Sequence, residues 1–202
     1  MTYQGLPPVG ELLLPELEWT PTAAENTGRG GEEIETIFLH RWGINDWRGE
    51  QLQGIINEFE DPAKKASAHI VYAGERPPHA PDAGRCLQMV KFSDRAWTEA
   101  GDNARGVSIE SADSIWLGSD PRGFARLARI VAFLATHFDL PLHWQQAPNT
   151  PGNKGICRHA DGGAFAGGHT ECPTIDVSLW QQFMARVQQE GAHGGFRPSW
   201  GR

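Results

Sequence analysis

The segment RGVSIESADSIWLGSDPRGFARLARIVAFLATHF, residues 105–138, decides the fold class. Its first eight residues, Arg105–Ala112, carry the β-branched Val107 and Ile109 and read as a strand, placed centrally. Asp120 then stands as an N-cap with Pro121 at the first helical position, where a fixed φ and a missing N–H cost nothing. Phe124, Leu127, Ile130, Val131 and Leu134 follow at helical spacing, so the strand leads into a long amphipathic helix.

The same alternation extends outward. IETIFLH, Ile34–His40, reads as a buried strand that ends on a histidine. GEQLQGIINEFE places Leu52, Ile55, Ile56 and Phe59 on one helical face, giving a helix over Gly49–Phe59. SAHIVYAGE and CLQMVKF read as two further strands, and TIDVSLWQQFMARVQQ as a closing helix with Val177, Trp180, Phe183, Met184 and Val187 on its apolar side. Strands alternating with helices make a mixed α/β domain. It is expected over residues 31–190, with an N-terminal arm at 1–30 and a flexible tail at 191–202. The arm has apolar residues, Leu12, Leu13, Leu14 and Trp19, to lay across the domain.

Composition narrows the function classes. A formal charge of −7 provides no basic face for nucleic acid, and no polybasic segment is present to hold an anionic membrane. The N-terminus lacks a basic n-region and its apolar run spans only Leu12–Leu14, which is neither a signal peptide nor a membrane span. A soluble, cytoplasmically made monomer is therefore expected. Three cysteines, Cys86, Cys157 and Cys172, make an odd count with no CxxC pair, so a thiol serving as metal ligand is more plausible than a disulfide framework.

The chemistry concentrates in GICRHADGGAFAGGHTECPTID, Gly155–Asp176, a glycine-rich stretch read as a loop with too little apolar content for a core. It holds Cys157, His159, His169 and Cys172. Together with the strand-terminal His40, two imidazoles and a thiolate form a donor set suited to Zn²⁺. Three protein ligands would leave a fourth position open for water, as in catalytic zinc sites. Glu110 is a carboxylate on an otherwise apolar strand, either paired with an arginine or adjusted by burial to act as a general base.

The order of these motifs resembles the zinc-dependent N-acetylmuramoyl-L-alanine amidases of type 2, a family that includes phage lysins and peptidoglycan recognition proteins. The resemblance runs from Ile34 to Trp180 through IFLHRWG, SAHIVY, AWTEAGDNARGVSIES and RHAD…HTECPTIDVSLW. It implies a central mixed β-sheet flanked by helices with a zinc in a surface groove. By position, His40, His159 and Cys172 resemble the metal ligands, Glu110 the catalytic glutamate and Thr170 the residue that helps stabilise the oxyanion. His169, the alternative imidazole, lies beside that last position and is expected to assist there. Trp42 and Trp47 are candidates to line the groove.

Three departures stand out: Ala68 where many members have Tyr, AWTEAG in place of AWHAG, and a long gap between His159 and Cys172. The resemblance implies hydrolysis of the amide between N-acetylmuramic acid and L-alanine in peptidoglycan, as an endolysin released by a holin to act on the cell wall. The alternatives are a peptidoglycan-binding module without catalysis, or a zinc amidase acting on another muropeptide bond.

Overall fold

Strand β7 (Gly106–Ser111) lies inside the sheet, paired in parallel with β3 (Thr36–Arg41) on one side and β4 (Ile70–Tyr72) on the other. The computed structural model describes residues 3–42, 51–76, 80–146, 150–169, 172–173 and 175–193. The other elements of the sheet are β1 (Leu17–Trp19), β5 (Cys86–Gln88) and β8 (Gly155–Arg158). The strand order is β1-β5-β4-β7-β3-β8, and the antiparallel β4–β5 pairing makes the sheet mixed. Two short strands, β2 (Glu25–Asn26) and β6 (Arg95–Ala96), pair apart from it.

Helices cover both faces. On one, α3 (Pro121–His137) and α4 (Val177–Ala192) pack Phe124, Leu127, Val131, Trp180 and Phe183 against Ile37, Leu39 and Ile109 of the strands. On the other, α1 (Gln51–Glu60) places Leu52, Ile55, Ile56 and Phe59 over Val71 and Leu87. Each such side chain contributes about 1.5–3 kcal/mol when fully buried. A single turn, α2 (Asp113–Trp116), links β7 to α3. Among the described residues no helix is long and apolar enough to cross a membrane.

The strands read from Ile34–His40, SAHIVYAGE, CLQMVKF and Arg105–Ala112 are β3, β4, β5 and β7, and the three helices are α1, α3 and α4. Two features differ from expectation. Gly155–Arg158 is a strand rather than loop: it pairs from Thr36↔Gly155 to Leu39↔Arg158, with Ile156 and Cys157 fully buried. Four residues are too short for a periodic signal, and the strand is defined by its backbone partners. The N-terminal stretch also supplies β1, the opposite edge of the sheet. Within it Leu12 is buried while Leu13 and Trp19 are exposed. Arg186 donates to the Pro7 and Pro8 carbonyls, tying the stretch to α4. Of the tail, residues 194–202 lie outside the described set.

Asp120 caps α3 as expected, its Oδ1 accepting from the Gly123 N–H at 2.8 Å, and its Oδ2 also accepts from the Glu75 N–H at 2.6 Å. Asp120→Ala strands both donors in a buried corner. It is expected to lower unfolding stability by about 2 kcal/mol, at the upper end for an N-cap, measured by denaturant unfolding.

Candidate metal centre

Side chains on a strand alternate faces. Since Ile37, Leu39 and Ile109 point to the α3/α4 core, His40 and Glu110 point to the opposite face. They are direct register partners on β3 and β7. Ser111 Oγ donates to the His40 carbonyl at 2.7 Å, fixing the strand end that carries the imidazole.

His159 follows β8 directly and opens a 3-10 turn, His159–Ala166. Asp161 holds that turn: it accepts from the Arg158 N–H at 2.9 Å, from the Arg158 guanidinium at 2.6 Å and from Trp144 Nε1 at 2.9 Å. Gly163 and Gly167 both adopt positive φ, at 56° and 89°, and so let the chain reverse within a few residues. The glycine richness thus serves a tight return. Across it, the Ala160 N–H donates to the Cys172 carbonyl at 2.8 Å, setting Cys172 beside His159.

These three elements bring His40, His159 and Cys172 together, with one donor atom from each lying within 4.8 Å of the others. Cys172 Sγ is 3.6 Å from His40 Nδ1, and the two imidazole centroids are 4.5 Å apart. His159 Nε2 donates to the Ala166 carbonyl at 2.7 Å. Burial holds the His40 pKa below its ordinary value and lowers that of His159 to about 4, so both rings are neutral and keep a lone pair for coordination. Burial also pushes the Cys172 thiol up to about 12. Neutral imidazoles with a sheltered thiol are a donor set that a borderline-soft divalent cation fits, because its charge compensates the thiolate. The donors lie on a cleft of about 720 Å³, whose walls include Phe59, Lys65, Trp97 and Asn103.

Two carboxylates approach the cluster. Glu110 Oε1 is 3.9 Å from His40 Nδ1, and burial raises its pKa to about 7, with His40 opposing the shift. Glu110 also lines the cleft. The second is Glu99, which no sequence motif marks. It is 1% exposed, accepts from His40 Nε2 through Oε1, and holds Oε2 3.7 Å from His159 Nε2. The one hint in the sequence is the extra residue that AWTEAG carries relative to AWHAG.

His169 is outside the cluster of three but packs against His159 in a tilted arrangement, with ring centroids 4.5 Å apart, and lines the cleft. Thr170 and Trp47 lie outside the described residues. Trp42 packs near α1, and the indole lining the cleft is that of Trp97. Ala68 is buried beneath α1. Thr98 Oγ1 bonds the Ser67 carbonyl and Ser108 Oγ at 2.7 and 2.8 Å, so it ties the cleft wall to β7. His69, buried between Ser108 and Arg29, belongs to the scaffold. Cys157 is fully buried and is not one of the three clustered donors.

The family model for N-acetylmuramoyl-L-alanine amidases matches residues 30–175. Among solved structures, the Staphylococcus aureus hydrolase AmiA is similar at 16% identity and a TM-score of 0.67, over 93% of this chain and 89% of that one. An endolysin from Bacillus subtilis, studied as a mutant, gives 14%, 0.58, 86% and 99% respectively. For AmpD the corresponding values are 19%, 0.58, 89% and 98%. At these identities the likeness is one of fold. No curated protein matches the chain.

Proposed function

The chain belongs to the N-acetylmuramoyl-L-alanine amidase family, and on that premise we propose that it hydrolyses the amide joining the lactyl group of N-acetylmuramic acid to L-alanine in peptidoglycan. His40, His159 and Cys172 are the residues that would hold a zinc ion. The observation that carries the reading is the meeting of these three donors, from β3, the turn after β8 and the segment before α4, beside a buried glutamate in an open cleft. When bound, such an ion polarises a carbonyl and acidifies its water.

The protein's own residues supply the remainder. Glu110, raised toward neutrality by burial, takes a proton from the attacking water and passes it to the departing L-alanine nitrogen. Water and amide become a lactyl carboxylic acid and a free amine. His169, on the cleft wall, is placed to donate to the oxyanion as it forms, with Thr170 as the neighbouring candidate. The walls at Phe59, Trp97 and Lys65 receive the glycopeptide. A lysin of phage origin, made inside the cell and acting on the wall after holin release, is the setting we favour, supported by the endolysin among its structural relatives.

The test is mass spectrometry of soluble products from purified sacculi, with and without a chelator. Stem peptides with a free N-terminal L-alanine, released only when metal is present, are expected. Intact muropeptides in both samples, with protein bound to the wall, would point to a binding module. New ends elsewhere in the peptide would reassign the bond.

A further inference from the structure

A histidine can coordinate a metal through one ring nitrogen only if the other carries the proton, and whatever accepts that proton fixes both tautomer and ring orientation. In His40 the division is clear. Nε2 is directed at Glu99 Oε1, while Nδ1 faces Cys172 Sγ at 3.6 Å and Glu110 Oε1 at 3.9 Å. A proton on Nε2 leaves the Nδ1 lone pair pointing to the clustered donors. The other Glu99 oxygen has no hydrogen-bond partner among the described residues and lies 3.7 Å from His159 Nε2. One buried carboxylate therefore backs His40 directly and lies near His159, whose Nε2 proton goes to the Ala166 carbonyl.

Glu99 is itself firmly placed. Asn103 Oδ1 accepts from the backbone N–H groups of both Thr98 and Glu99, at 3.0 and 2.6 Å. Immediately after it the chain turns sharply, with Ala100 at a φ of 46°. At Gly101 a side chain would meet the Phe165 ring at 2.8 Å, so the turn packs closely against the segment that follows His159. An isolated acid buried this deeply is costly unless something compensates it. The His40 Nε2–H bonds one of its oxygens, and the cation that the two imidazoles would hold is the charge positioned to compensate it.

We propose that Glu99 is the positioning residue of the metal centre: it accepts from His40 Nε2, and so holds His40 in the Nε2-protonated tautomer and fixes that ring with Nδ1 turned toward the clustered donors. Glu99 touches neither substrate nor water in this role and acts through His40. The inference rests on the metal-binding reading of His40, His159 and Cys172.

The test uses the full chain, stripped of metal, in wild-type, Glu99→Gln and Glu99→Ala forms. Zinc affinity is read by competition with a chromophoric chelator, and the site by the visible spectrum of the Co²⁺-loaded protein. Loss of an outer partner of this kind weakens metal binding by about 10–100-fold. Glu99→Gln, which keeps the shape and an acceptor oxygen, is expected near the lower limit, and Glu99→Ala near the upper. The Co²⁺ bands should shift in both variants, while the metal-free Gln variant melts as the wild type does. Wild-type-like affinity and an unchanged Co²⁺ spectrum in Glu99→Gln would overturn the inference, even if Glu99→Ala fails to fold. A wild-type protein that binds neither ion would instead overturn the metal reading beneath it.

Discussion

Glu110→Gln is expected to lower kcat on a soluble muropeptide by about 10³-fold, within the usual range for removing a positioned general base. Gln preserves the volume and the packing on β7, so the register pairing with His40 is retained. What disappears is a proton acceptor that burial has brought to a pKa of about 7, where it can both accept from water and release to an amine. The carboxylate is close to His40 without being one of the three clustered donors, so zinc content should be unchanged. Equal metal content with a large loss in kcat separates catalysis from coordination. A variant with near wild-type turnover would remove Glu110 from the reaction.

Cys172→Ala should act through the metal. Zinc binding by small protein sites amounts to about 10–16 kcal/mol over four ligands, or about 3 kcal/mol per ligand, which corresponds to roughly 10²-fold in Kd. The variant is therefore expected to bind zinc about 10²-fold more weakly and to lose activity at limiting zinc. The wild-type protein offers an independent check. Cys86 and Cys157 are buried, whereas Cys172 is partly exposed at the cleft. A thiol reagent should modify Cys172 first in the metal-free protein, and added zinc should protect it. Labelling that ignores zinc would count against Cys172 as a ligand.

Much of this arrangement was legible in the residues because it depends on local pattern. The spacing of Phe124, Leu127, Ile130, Val131 and Leu134 and the Asp120–Pro121 start define α3, and Ile34–His40 and Arg105–Ala112 carry the apolar residues of buried strands. The pairing of His40 with Glu110 follows from strand order, which no local pattern encodes. β8 differs from the loop expected at Gly155–Arg158 because four residues beginning with glycine have no period to detect; its pairing with Thr36–Leu39 gives it a place. The same holds for β1, three residues whose strand character comes from Cys86–Gln88 alongside. Glu99 is hidden as well. A lone acid between Thr98 and Ala100 carries no local pattern, and its burial against His40 depends on a long-range approach that no spacing encodes.

In the proposed site three side chains from separate parts of the chain, His40, His159 and Cys172, share one catalytic metal. X-ray absorption at the zinc edge of the reconstituted protein tests this directly. One sulfur and two imidazole scatterers per zinc are expected, with a remaining light-atom position for solvent, and loss of the sulfur shell in Cys172→Ala. A zinc environment without sulfur, or one unchanged by that substitution, would contradict the shared site.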